Sequence, residues 1–154
     1  MKKLFLIAIV TTIVFSGCKK YKEGPLISFR AVEKRITGTW QITEFTSDGV
    51  DSLQYYNDSC GANVKIEKRE IDSDEYNMLY KGGKKNIYGR FHFESFDNIR
   101  VYFSKGDYNV SFRLIGPIAS EVVSYWKILR LTKDELKVSV DYDNKNYKMF
   151  FKRI

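Results

Sequence analysis

This 154-residue chain has one histidine, His92, and two cysteines, Cys18 and Cys60. Metal ligation draws on clustered His, Cys or carboxylate side chains, and no such cluster is visible, so no metal site is expected. With Cys18 in the N-terminal leader, Cys60 is left alone and no intramolecular disulfide can form. Cys60 sits in the polar stretch Asn57-Asp58-Ser59-Cys60-Gly61-Ala62, which reads as a loop and carries no Cys-His pairing that would activate a thiol. There is no Gly-x-Ser-x-Gly, and no pair of carboxylates stands out for acid–base work. Asp72-Ser73-Asp74-Glu75 lacks the calcium-loop spacing with its late bidentate glutamate and reads as a solvated turn. Gly82-Gly83-Lys84-Lys85 lacks the earlier glycine and following Ser/Thr of a phosphate loop. His92 shares a strand face with Arg90 and Glu94 and reads as a surface side chain. No enzyme activity, catalytic residue, metal or cofactor is expected.

Long apolar runs are also scarce. Residues 4–15 form one behind Met1-Lys2-Lys3, but this is shorter than the roughly 20 residues that span a bilayer. No long helical periodicity follows. The formal charge is +7, from 26 basic and 19 acidic residues, and removing Lys2 and Lys3 with a leader leaves +5. These charges are scattered rather than clustered, which argues against nucleic acid as a partner. What the chain has instead is apolar and aromatic content, 44% and 16%, enough for one domain with one core.

The leader carries a resemblance. Phe15-Ser16-Gly17-Cys18, directly after the apolar run, resembles the lipobox of bacterial lipoproteins, with Phe15 in place of the usual leucine. The resemblance implies that the Cys18 thiol takes a diacylglyceryl group, that cleavage removes residues 1–17, and that the new amine is acylated. Two or more acyl chains hold a protein stably at a membrane, each buried methylene contributing roughly 0.8 kcal/mol. Lys19 stands where an aspartate would signal inner-membrane retention, which favours the outer membrane of a bacterial envelope. Residues 18–32, with Lys19, Lys20, Lys22 and Gly24-Pro25, read as a lipidated tether.

Residues 33–154 read as one β domain. A short helical stretch is expected within residues 28–35. Residues 37–46 form the first strand, ended by Ser47-Asp48-Gly49. Alternation of apolar and polar residues then predicts strands over 63–71, 76–80, 87–95, 99–103, 110–114, 122–131, 136–142 and 147–154. Asp143-Asn144-Lys145-Asn146 reads as a hairpin connection. Short strands joined by tight turns predict an all-β antiparallel meander closing into a barrel of about eight strands, which leaves no exposed edge.

Gly38-Thr39-Trp40 resembles the G-x-W motif on the first strand of lipocalins. The stretch from Trp126 to Leu136 is similar to the W-x-I-x-x-L-T-x-x-x-L pattern of lipocalin-like lipoproteins of Bacteroidota. The resemblance implies a lipocalin-like barrel in which Gly38, Trp40 and Trp126 are structural. Trp40 would lie across the closed end, with Arg153 or Lys152 packed on its indole. It also implies a small hydrophobic ligand inside the barrel. Aromatics at Tyr88, Phe91, Phe93, Tyr102, Phe103, Phe112, Tyr125 and Tyr142 offer a lining, and Phe91, Phe93, Phe103, Phe112 and Tyr125 are the binding candidates. The alternative is a filled barrel that supports contact with another envelope protein. A continuous cavity of a few hundred cubic ångströms would favour the ligand, and an exposed patch on one sheet face would favour the protein.

Overall fold

A computed structural model describes residues 21–24, 31–81, 87–103 and 124–154. Helix α1 (Val32–Ile36) leads into strand β1 (Gly38–Ser47). Next come β2 (Val50–Asp51), α2 (Leu53–Cys60), β3 (Asn63–Lys68), β4 (Glu75–Lys81) and β5 (Ile87–Phe93). The chain finishes with β6 (Asn98–Phe103), β7 (Ser124–Leu131), β8 (Glu135–Tyr142) and β9 (Lys145–Arg153).

Every described pairing is antiparallel, in the order β1-β3-β4-β5-β6-β7-β8-β9, and β9 pairs back onto β1. The result is a closed barrel of eight strands, with β2 a short flap on the end of β1. Closure leaves these strands without a free edge along the paired lengths. The expected strand over 110–114 lies outside the described residues, and the ring closes through the others. Two register shifts, at Ile42/Glu44 against β9 and Ile128/Arg130 against β8, add the coiling that a small barrel requires.

The turns follow from residue type. Asp48 and Gly49 have φ of 49° and 82°, and Asp143 and Asn144 have 51° and 59°. Consecutive positive φ values suit two-residue hairpins whose twist matches the strands. At the β7–β8 corner, Thr132 Oγ1 accepts from the backbone N–H of Glu135 at 3.0 Å and of Asp134 at 3.3 Å.

The strands alternate as expected, and one face of each enters a single core. That core includes Ile42, Val64, Met78, Phe91, Val101, Ile128, Val138 and Phe151. The polar stretch containing Cys60 is helical rather than a loop. Just ahead of α2, the Asp51 Oδ1 accepts from the Leu53 N–H at 2.9 Å. Tyr56, 1% exposed, packs against Phe45 with ring centroids 4.9 Å apart and planes tilted by 42°. Burial of one aromatic ring thus outweighs a run of polar residues that favours turns.

One end of the barrel is shut by α1. Trp40 is fully buried, and its Nε1 donates to the Ile36 carbonyl at 2.8 Å. The Arg153 guanidinium lies 4.4 Å from the indole centroid and donates to the carbonyls of Thr37 at 2.6 Å, Arg35 at 2.5 Å and Lys133 at 2.5 Å. Of the two basic candidates for this place, Arg153 occupies it, while Lys152 is exposed on the outer wall. Gly38 makes the approach possible: its φ is +136°, and a Cβ there would overlap Arg153 Nη1. Gly38→Ala should therefore lower the melting temperature by about 5 °C, from a backbone and steric cost of roughly 1–3 kcal/mol. An unchanged melting curve would show that this close approach is not required.

The stretch expected to be a tether is not free along its length. Residues 21–24 turn on themselves, with the Gly24 N–H donating to the Tyr21 carbonyl at 3.1 Å, and they pack on the barrel. Tyr21 is 2% exposed and belongs to the core cluster.

Candidate functional site

The barrel interior is where a ligand was expected. Phe91 is fully buried and stacks on Tyr76, centroids 4.9 Å apart and planes 10° apart. Phe93 meets both rings edge-on, at 5.7 Å and 6.0 Å. Trp126 is 3% exposed, and its Nε1 donates to the buried Ser124 hydroxyl at 2.8 Å. Phe103 points inward and lies over Gly89, where a Cβ would come within 2.7 Å of its ring. Between Ile36, Val64, Met78, Phe91, Trp126 and Phe151, the enclosed space is only about 10 Å³. That is the room of one water, and the lining is apolar, so the space stays dry. The structure brings Phe91, Phe93, Phe103 and Trp126 together as packing, with no ligand-sized gap among the described residues that surround this space.

Tyr125 requires a correction. Expected among the inward candidates, it stands on the outer wall, 56% exposed, with the Arg100 guanidinium 5.2 Å from its ring. Its neighbours Ser124 and Trp126 take the inward positions. Tyr88 and Tyr102 also face out, while Tyr142, in register with the inward Val138 and Val140, is exposed at the end of its strand. The strand period of two carried that signal: Tyr102 falls between Val101 and Phe103, and Tyr88 between Ile87 and Gly89. Phe112 and Cys18 lie outside the described residues.

The outward tyrosines gather on the wall made by β4, β5, β6 and β7. A groove of about 420 Å³ crosses it, with Leu79 and Tyr88 along one side and Asn77, Arg90 and Tyr102 along the other. Beside it runs a charged row. Glu94 Oε1 lies 2.6 Å from Arg100 Nε and 2.8 Å from His92 Nε2. The His92 ring is 5.6 Å from that of Tyr102, and Arg100 Nη1 donates to the Tyr102 hydroxyl at 3.4 Å. That hydrogen bond, followed by the charge of Glu94, holds the Arg100 guanidinium more firmly protonated than an isolated one. Across the sheet, Arg69 bonds Glu75 at 2.5 Å and Arg90 lies 3.7 Å from it, so the Glu75 carboxyl titrates below its ordinary range, chiefly through Arg69.

Exposed tyrosine and arginine, held by neighbours and flanked by paired charges, are the side chains enriched at the centres of protein interfaces. Among the described residues, no group of three or more His, Cys, Asp and Glu side chains is placed to hold a metal ion.

No protein-family model matches the chain, and no curated protein matches it. Among solved structures, it is similar to a redesigned β-barrel at 12% identity, covering 83% of this chain and 99% of that one, with a TM-score of 0.47. It is also similar to a lipocalin-like protein from Bacteroides uniformis ATCC 8492 at 17% identity, covering 78% of this chain and 99% of that one, with a TM-score of 0.45.

Proposed function

We propose that this protein is a lipid-anchored component of a bacterial envelope, held through Cys18 at the outer membrane. Its lipocalin-like barrel is a filled, rigid body that presents its outer wall to another envelope protein. One observation carries the reading: among the described residues, the space enclosed between Ile36, Met78, Phe91 and Trp126 is about 10 Å³, against the several hundred cubic ångströms that a small-molecule pocket occupies. The exposed Tyr88 and Tyr125, the groove of about 420 Å³ and the Arg100–Glu94–His92 row support the outer wall as the contact face.

Titration with a hydrophobic fluorescent probe at low and high salt, on wild type, Phe103→Ala and Tyr88→Ala, tests this against an interior ligand. Wild type should show no saturable binding. Native mass spectrometry of the protein taken from its own envelope should show a bound polypeptide that Tyr88→Ala with Tyr125→Ala removes. Because Phe103 also borders the outer groove, saturable, salt-insensitive probe binding that changes in Phe103→Ala but not in Tyr88→Ala would overturn the filled-barrel reading and restore a small hydrophobic ligand.

A further inference from the structure

Residues 21–24 are fastened to one side of the barrel at its closed end. The Tyr21 ring lies under the Arg35 guanidinium, 5.6 Å from centroid to Cζ, and Arg35 is itself buried and donates to the Leu131 carbonyl at 2.8 Å. The Glu23 N–H donates to the Leu129 carbonyl at 2.7 Å, and Arg130 Nη1 donates to the Glu23 carbonyl at 2.7 Å. Lys137 Nζ pairs with the Glu23 carboxylate at 2.7 Å. All of these contacts lie on β7 and β8 or on α1.

Covalent reach then limits where an anchored barrel can sit. Only residues 19 and 20 separate Cys18 from Tyr21, so the two Cα atoms are at most about 11 Å apart. From its closed-end turn to its mouth, β8 spans 8 residues, roughly 26 Å at about 3.3 Å each. Acyl chains on Cys18 can therefore lie beside the closed end but not beside the mouth.

Charge selects which side of that end faces down. Lys19, Lys20 and Lys22 flank the attachment, and the exposed Lys133 and Lys152 stand on the same side, where the cations outnumber the exposed Asp134 next to Lys133. In the ring of strands, the β3–β4 corner lies across from β7–β8, and it carries the exposed Glu70, Asp72 and Asp74. An anionic bilayer attracts the first set and repels the second within a Debye length.

We propose that the barrel rests on an anionic lipid surface by its closed end, β7–β8 side down, because residues 21–24 clamp the anchor to that side. This rests on the Cys18-anchor reading above. The mouth and the β4–β5 wall then face away from the membrane.

The test uses full-length, lipidated protein carrying Cys60→Ser, reconstituted in phosphatidylcholine vesicles containing phosphatidylglycerol. A fluorophore is placed through Lys133→Cys at the closed end or through Lys145→Cys at the mouth, and a headgroup-attached quencher reads their depth. Labelled fatty acid on Cys18 is measured in the same preparations. The Lys133 position should be quenched several-fold more than the Lys145 position. Tyr21→Ala with Glu23→Ala should erase the difference while the fatty acid is retained. Equal quenching in the otherwise wild-type pair, with fatty acid present, overturns the orientation and leaves the anchor standing. Absence of fatty acid overturns both.

Discussion

Trp40→Ala should lower the stability of the domain by about 3–5 kcal/mol, the usual cost of removing a buried aromatic. With a urea m value near 2 kcal/mol per molar, the unfolding midpoint should fall by about 2 M. Three things are lost together. The indole is fully buried, so its removal leaves a cavity under α1. Its Nε1–H no longer satisfies the Ile36 carbonyl, which held the helix end at 2.8 Å. The Arg153 guanidinium, 4.4 Å above the ring, loses the face it rests on. A loss of this size is a large part of the 5–15 kcal/mol typical of a small domain. A midpoint within error of wild type would show that the closed end is not organised around this side chain.

Arg153→Ala should cost about 3 kcal/mol, and Arg153→Lys should recover only part of it. The guanidinium donates to carbonyls from three places: Arg35 in α1, Thr37 before β1, and Lys133 between β7 and β8. Hydrogen bonds from a charged donor contribute about 1.5–3 kcal/mol each, and bonds sharing one donor do not add fully. A lysine offers one compact ammonium, which cannot span three divergent acceptors or lie flat on an indole. Lys152→Ala, one residue earlier and facing solvent, should stay within about 0.5 kcal/mol of wild type. Guanidinium chloride midpoints for the set decide the matter. Equal values for Arg153→Ala and Lys152→Ala would remove Arg153 from its bracing role.

The barrel was legible because its strands are amphipathic with a period of two, and because Asp48-Gly49 and Asp143-Asn144 announce their turns. The same period separates Arg153 from Lys152, since Met149 and Phe151 point inward and Arg153 falls on their side. Helix α2 was hidden because only Leu53 and Tyr56 repeat at helical spacing among polar neighbours, and its reason for folding is a contact with Phe45 far back in the chain. Tyr21 gave little sign of its burial. It is one aromatic between lysines, and what holds it is Arg35 and the backbone of β7, which only the fold brings near. The outer wall is misjudged from sequence: the expected lining includes Tyr88, Tyr102 and Tyr125 although alternation sets them outward, and nothing in the sequence says that Arg90, Arg100 and His92 gather beside them.

Closure of β1 against β9 has a consequence for biosynthesis. The bond from Arg153 to the Thr37 carbonyl joins groups 116 residues apart, and the two strands pair along nearly their whole lengths. During synthesis β1 emerges well before β9 and must wait with one side unsatisfied until β9 has been made. Joining such distant segments is slow, because the chain loses loop entropy before the contact is made. A nascent or truncated chain ending before Lys145 lacks the closing strand and carries two open sheet edges, at β1 and β8, each able to pair with a neighbouring copy. The nine residues of β9 thus act as a checkpoint: until they arrive, both edges stay open to pairing with another chain.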